Sequence, residues 1–180
     1  MSEYNLDVQR QIREIRRELD QLRSVQYPVR QTKIIAVNGV EFPVVQVPSA
    51  NAYTLDDYRE LAWTPSLLFG GAAVGMTYTT QVGWYTKWGR VIFAGLNIAL
   101  SAKGASVGAA TITGLPYAPV GNTSVVPYYA GMSGIANVFL FRITGAGCVL
   151  YDMGATGPTA LTDTNFNNNS VLNAGLVYSI

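Results

Sequence analysis

The order of hydrophobic and polar positions divides the chain into a helical segment followed by a long β-rich segment. In residues 1–26, apolar residues recur at alternating spacings of four and three among Arg, Gln, Glu and Asp. They are Val8, Ile12, Ile15, Leu19 and Leu22. This spacing is typical of a coiled-coil seam, and the stripe is narrower than the face with which a helix packs on its own domain.

The same heptads predict the oligomeric state. If Ile12 occupies position a, Ile15 occupies position d, and Ile at both positions favours trimers. Three heptads are too short to be stable alone, so association must continue further along the chain. The Ile pair therefore favours a trimer, and Leu19 and Leu22, which follow it, weaken that preference, so other oligomers stay open. An amphipathic helix packed on its own domain is the alternative to a coiled coil.

A connector is predicted between the helix and the β-rich part, over residues 27–62. Pro28 ends the helical pattern because proline lacks the amide donor that a helix needs. Asn38 and Gly39 separate two apolar runs, which indicates a β-hairpin. Pro43 and Pro48 then favour an extended, irregular segment.

From Trp63 to Ile180, short runs rich in β-branched and aromatic residues alternate with Gly, Pro and Asn. This pattern predicts a mainly β fold of about eight strands, a jelly-roll-like β-sandwich domain. In residues 91–100 both alternating sets are largely apolar. One face of that strand is expected in the core, and the other under a neighbouring subunit or a loop. A final strand is expected over residues 171–180.

The composition and the distribution of charge argue against several classes of function. Residues 1–33 hold seven Lys or Arg and five Asp or Glu, leaving five and six for all the rest. The β-rich part therefore has a neutral surface or is covered by copies of itself, and nothing draws it to nucleic acid. Residues 91–100, the longest apolar run, are too short for membrane insertion. The N-terminus does not read as a secretory signal.

Few residues offer catalytic chemistry. Histidine is absent, which excludes Ser-His-Asp and Cys-His systems and most transition-metal sites. Cys148 is the single cysteine and is expected to be a small buried strand residue. No catalytic, cofactor or metal site is predicted, and the protein is not expected to be an enzyme.

The carboxylates Asp56, Asp57 and Glu60 are the best candidates for an acidic site. Glycoside hydrolysis needs two carboxylates in a desolvating groove, and adjacent aspartates in an extended segment point in opposite directions. A calcium site with Asn51, or a cap on a short helical turn through Glu60, are the alternatives. We interpret Asp56 and Asp57 as capping or solvating a joint.

Aromatic residues among Gly, Ser, Thr and Asn are the remaining candidates, because such surfaces bind sugars or proteins by stacking and hydrogen bonding. Trp84, Tyr85 and Trp88 are expected mainly to pack. Tyr128 and Tyr129 follow Pro127 in loop-like sequence, where exposure and packing are equally favoured. The possible receptor contacts are Tyr117, Tyr128 and Tyr129.

Three stretches carry a set of short motifs: TLDDYRELAWTPSLLFGG at 54–71, VGMTYTTQVGWYTKWGRVIF at 74–93 and LSAKGASVGAATITGLPY at 100–117. Together they resemble the C-terminal domain of a family of tailed-bacteriophage tail-fibre and other virion appendage proteins. The family pattern is Leu-Asp-Asp-Tyr-Glu-Glu-Gly, Trp-Thr-Pro, Tyr-Thr-Lys and Lys-Gly-Ser-Ser, and the resemblance covers roughly residues 37–120. The matching positions are Leu55, Asp56, Asp57, Tyr58, Trp63, Thr64, Pro65, Tyr85, Thr86, Lys87, Gly89, Ser101, Lys103, Gly104, Gly114, Leu115 and Pro116. Residues 59–62, Arg-Glu-Leu-Ala, depart from the pattern and lose its glycine.

The resemblance implies a homotrimeric virion protein and suggests receptor contact. With the heptads, it predicts a short fibre whose N-terminal helix trimerises and binds other virion proteins. Its β domain then recognises a host surface glycan or protein. Leu55, Tyr58 and Trp63 are expected to dock the connector on this domain. The alternatives are a purely structural head-fibre, collar or decoration protein and, third, a polysaccharide-degrading enzyme.

Overall fold

The structure, a computed structural model, describes residues 3–26, 57–145 and 147–180. The chain divides into two compact units, residues 1–41 and 42–180. The helix α1, Glu3–Gln26, belongs to the first unit and ends two residues before Pro28. The predicted helix is therefore confirmed. The hairpin at Asn38 and Gly39 lies outside the described residues.

Residues 57–145 and 147–180 form a mainly β domain, which confirms the prediction that this part of the chain is mainly β. Its described strands are β1 Tyr58–Trp63, β2 Ser66–Phe69, β3 Thr77–Trp88, β4 Val91–Ala102, β5 Ala110–Thr113, β6 Thr123–Val125, β7 Tyr128–Met132, β8 Val138–Thr144, β9 Gly147–Gly154, β10 Gly157–Ala160 and β11 Phe166–Ser179. A single 3₁₀ turn, Asp163–Asn165, precedes β11.

The strands form two antiparallel sheets. Sheet I has the order β1-β3-β4-β11-β7, and sheet II has the order β2-β5-β9-β8-β6, with β10 added beside β9. Their inner faces share one hydrophobic core. Aromatic rings join the sheets, since Phe69 of β2 lies 5.0 Å from Phe166 of β11 and Tyr129 of β7 lies 5.0 Å from Phe139 of β8, between ring centroids.

Alternation along the central strands decides which side chains enter this core. In β11 the side chains of Leu172, Ala174, Leu176 and Tyr178 are buried, and they face the buried alternate residues of β4. Cys148 of β9 is a buried free thiol with 1% exposure, as expected. Burial raises the pKa of this thiol to about 12, so it is not a reactive nucleophile.

A two-residue turn joins the long strands β3 and β4. Trp88 pairs with Val91, and Gly89 has a φ of 55°, an angle that residues with a Cβ rarely adopt. The turn fixes the register of the hairpin and so decides which residues of β3 and β4 face outward.

The strand count and two boundaries differ from the prediction. The described residues contain eleven strands rather than about eight, because several are only three to five residues long. Residues 58–62, assigned to the connector, pair with β3 as part of an edge strand. The last strand starts at Phe166 rather than residue 171, passing through asparagines that the sequence marked as a turn.

Hydrogen bonds explain this early start of β11. The Ser170 hydroxyl donates to the Gly131 carbonyl at 2.7 Å, and the Asn167 side-chain amide donates to the same oxygen at 3.1 Å. The pairing of β11 with β7 is irregular between Phe166 and Val171. Polar side chains thus bridge a bulge where the main-chain ladder is interrupted. No helix among the described residues has the length and apolar character needed to cross a membrane.

Candidate functional site

The first described residues of the β domain join it through a charged side chain. The Asp57 carboxylate forms an ion pair with the Lys87 ammonium, and the Gly89 amide donates to the Asp57 carbonyl at 2.7 Å. Lys87 also lies 4.9 Å from the centre of the Tyr117 ring, in cation–π geometry. Asp57 therefore holds the start of β1 on the β3–β4 hairpin.

Trp63 ends β1 inside the domain. It is 8% exposed, and its indole N–H donates to the carbonyls of Gly95 at 3.1 Å and Trp84 at 3.2 Å. A Cβ on Gly83 would lie 2.5 Å from the indole nitrogen of Trp63, so only glycine leaves room for this ring. Of the predicted docking residues, Trp63 and Asp57 make these contacts; Leu55 and Asp56 lie outside the described residues.

The described carboxylates of the acidic stretch, those of Asp57 and Glu60, each have a partner within the β domain. The Asp57 carboxylate is paired with the Lys87 ammonium rather than capping a turn or standing in solvent. The Glu60 carboxylate accepts the Tyr58 hydroxyl, and both residues lie in strand β1, so the capped helical turn is wrong. In the part of the chain that is described, no group of three His, Cys, Asp or Glu side chains is placed to hold a metal ion.

Other motif residues also make contacts inside the domain. The Cβ that Gly114 lacks would lie 2.7 Å from the Thr64 carbonyl oxygen, which brings the Gly-Leu-Pro and Trp-Thr-Pro segments together. The Lys103 ammonium lies 3.4 Å from the Asp163 carboxylate. Gly114 and Lys103 thus make contacts within the β domain, as Trp63 and Lys87 do.

The three tyrosines predicted as receptor contacts do not form one site. The Tyr117 ring is partly buried against Tyr85, with ring centroids 5.8 Å apart. Tyr129 packs edge-on against Phe139. Tyr128 is 67% exposed and pairs with Asn173. Tyr128 and Tyr129 are neighbours in a strand and point to opposite faces of sheet I, so only Tyr128 lies on its outer face.

The outer face of sheet I, the side away from the core, exposes large apolar side chains. Tyr85 is buried as expected, but Trp84 and Trp88 are 58% and 55% exposed, so neither is a core residue. Phe93 of β4 and Val177 of β11 lie beside each other on the same face. In the described β domain neither is covered by a loop, since Phe93 is 43% and Val177 55% exposed.

A depression of about 320 Å³ lies in the middle of this outer face. Its lining comes from three neighbouring strands and consists of Val82, Trp84, Gly95, Leu96, Asn97, Asn173, Ala174 and Gly175. Asn97 of β4 pairs with Asn173 of β11, and Gly95 pairs with Gly175. Two side-chain amides therefore stand beside a floor made of two glycines.

The Trp84 ring is fixed against this floor. A Cβ on Gly95 would lie 2.4 Å from Cε2 of Trp84, so the indole packs directly on the Gly95 backbone. A Cβ on Gly175 would meet nothing within 4 Å, so the space above Gly175 is open. The outward positions of three strands on this face carry no ionisable side chain. They lie in Val82 to Trp88 of β3, Val91 to Asn97 of β4 and Asn173 to Ser179 of β11, and their polar residues are Ser, Thr and Asn.

Sequence reasoning missed Asn97, Asn173, Gly95 and Gly175 as site residues. Each lies in a strand whose alternation was recognised, but the pairing of β4 with β11 joins segments far apart in the chain. No local pattern places Asn97 opposite Asn173. The signal in the sequence was that Asn and Gly interrupt the apolar residues at the outward positions of β4 and β11.

This arrangement is suited to binding rather than to bond cleavage. The depression offers an aromatic face, amide donors and acceptors and open space, and its lining has no acid, base or nucleophile. No protein-family model matches the chain, and no curated protein shows significant sequence similarity to it. The fold and the geometry of the outer face therefore carry the functional argument.

Proposed function

We propose that this protein is a short trimeric fibre or spike of a bacteriophage virion whose β domain attaches to the host cell surface. The helix trimerises the chain and binds other virion proteins. The β domain is a jelly-roll-like sandwich. The motif resemblance supplies the virion setting, and three copies strengthen weak individual contacts through avidity.

The main observation that supports this proposal is the exposed aromatic outer face of sheet I. Monomeric soluble domains rarely expose a continuous apolar face, and such faces mark interaction sites. Trp84, Trp88 and Tyr128 each have more than half of their surface exposed there. Aromatic side chains with polar neighbours bind surfaces with little loss of side-chain entropy, as antibody loops do.

The row of apolar residues along α1, which forms the predicted coiled-coil seam, supports the trimeric state. In α1, the side chains of Ile12, Ile15 and Leu19 are 38%, 56% and 49% exposed, while Val8 is partly buried. Leu22 lies in the helix, but its side chain is outside the described set. A row of exposed aliphatic residues on an otherwise polar helix needs a partner helix to bury it.

Cell binding tests the attachment function. The fluorescently labelled full chain is incubated with a panel of bacterial strains, and saturable binding that unlabelled protein displaces is expected for a subset of them. Val177→Glu places a charge on the outer face and is expected to weaken binding about tenfold or more, because an unpaired charge is costly in a contact. Val107→Glu, at a position 71% exposed between β4 and β5, is the matched control.

Absence of saturable binding to every strain would contradict attachment. If phage particles then retain the chain through its helix, the structural head-fibre, collar or decoration role is the better explanation. If Val177→Glu and the unmodified chain bind cells equally, the receptor contacts lie on another surface of the protein.

A further inference from the structure

We infer that the depression around Trp84, Asn97, Asn173 and Gly175 binds one neutral sugar ring. This inference rests on the proposed attachment function and names the chemistry that the site recognises. A volume of about 320 Å³ lies at the small end of the usual range for ligand sites, roughly 300–1,000 Å³. That volume suits a single ring better than a peptide segment.

The Trp84 indole supplies the stacking surface. Its face is electron-rich, and the C–H groups on the apolar side of a pyranose carry partial positive charge, so the two attract. Because the ring rests on the Gly95 backbone, its orientation is set before a ligand arrives. A preorganised aromatic surface lowers the entropy cost of binding.

The paired amides supply the hydrogen bonds. Asn97 and Asn173 are directly opposed on β4 and β11, and each side chain offers both a donor and an acceptor. Vicinal hydroxyl groups of a sugar present the same combination. Gly175 has no side chain and open space above it, so a ring stacked on Trp84 can reach both amides.

Charge favours a neutral ligand. The lining of the depression contains no ionisable side chain. An acidic sugar would give up hydration of its carboxylate without gaining a cation partner. A second depression of about 330 Å³ is lined by residues of β5, β8 and β9 and by Gly114. It has no aromatic side chain in its lining and therefore lacks the stacking surface.

NMR titration of the ¹⁵N-labelled full chain tests the inference. The chain has three tryptophans, so three indole N–H signals are expected, and the Trp84→Ala and Trp88→Ala variants assign two of them. The probes are the methyl glycosides of glucose, galactose, mannose, rhamnose, N-acetylglucosamine and N-acetylgalactosamine. At least one probe is expected to shift the Trp84 signal saturably at millimolar concentration and to leave the buried Trp63 signal unchanged.

Two variants separate the depression from the rest of the face. Gly175→Val fills the open space and suits a strand, so it is expected to abolish the shift while the fold is retained. Trp88→Ala removes a tryptophan of similar exposure outside the lining and is expected to keep the shift. No saturable shift with any probe, or full binding by Gly175→Val, would overturn the inference.

The outcomes also distinguish this inference from the attachment function. If cells bind the unmodified chain and Gly175→Val equally, attachment holds and the sugar site is refuted. If sugars bind and Gly175→Val abolishes that binding while no cell binds, the sugar site holds and attachment fails. If no sugar binds and both tryptophan variants lower the oligomeric state, the face is an interface between copies, and the sugar site is again refuted.

Discussion

Asp163 shows how a single residue holds two distant segments of the β domain together. Its carboxylate accepts the Gly108 amide at 2.8 Å, and its own amide donates to the Gly108 carbonyl at 3.1 Å. The Lys103 ammonium lies 3.4 Å from the same carboxylate. These contacts join the loop after β4 to the 3₁₀ turn before β11. The Gly108 hydrogen bond first, and then Lys103, lower the pKa of Asp163.

This lowered pKa predicts a pH-dependent contribution to stability. A carboxyl with a lower pKa in the folded state stabilises the fold above its unfolded pKa, and the contribution is lost as pH falls through the folded pKa. Asp163→Asn is therefore expected to lower the melting temperature at pH 7. The difference from the unmodified chain should shrink as pH falls below about 4. Thermal unfolding followed by circular dichroism between pH 7 and pH 2 measures it.

Lys103→Met is the matched variant for Asp163. It removes the cation but leaves the Gly108 hydrogen bond, which is the larger cause of the pKa shift. It is expected to retain more of the pH-dependent contribution than Asp163→Asn does. A stability difference for Asp163→Asn that stays constant from pH 7 to pH 2 would contradict this account.

At the scale of elements, the edge strand β1 depends on the pair formed by Asp57 and Lys87. Both side chains are largely buried, with exposures of 15% and 13%. Removing one partner leaves the other charge poorly solvated, so Asp57→Ala and Lys87→Met are each expected to cost about 1–3 kcal/mol of unfolding free energy. The double variant should cost less than the sum, with a coupling of about 1 kcal/mol.

Urea unfolding of the four chains measures this coupling. Glu60→Ala, on the same strand with its carboxylate on the Tyr58 hydroxyl, is a control for the loss of a β1 carboxylate and should cost less. Strictly additive losses from Asp57→Ala and Lys87→Met would show that the ion pair does not couple β1 to the β3–β4 hairpin.

The elements that the sequence predicted correctly are those set by local patterns. The heptad spacing predicted α1, and the alternation of apolar residues in β4 and β11 predicted which of their faces are buried. Both patterns depend only on residues that are close together in the chain. The edge strand β1 was assigned to the connector because Asp57 and Lys87, which hold it, are thirty residues apart. The position of the Trp84 ring was also unpredictable, since it depends on the absence of a side chain at Gly95 on the next strand.

On the scale of the whole molecule, charge and apolar surface are separated along the chain. Residues 1–33 hold twelve of the charged residues, whereas the outward positions of β3, β4 and β11 in sheet I carry no charge and include exposed aromatic side chains. Composition predicted that this part of the chain presents a neutral surface or is covered by copies of itself. It did not predict which surface does so, because that depends on the pairing of β3, β4 and β11.

The oligomeric state is the last prediction and depends on the apolar stripe of α1. Ile15→Gln with Leu19→Gln removes two seam residues that are 56% and 49% exposed in the single helix. Glutamine has a good helix propensity, so the helix itself should be retained. Arg13→Gln with Arg17→Gln introduces the same residues on the polar side and is the matched control.

The unmodified chain and the control should sediment as trimers, and the stripe variant should shift towards monomer, because burial of those side chains drives association. Analytical ultracentrifugation at micromolar concentration measures this difference. A monomeric unmodified chain, or a stripe variant that stays trimeric, would show that the helix does not assemble the fibre.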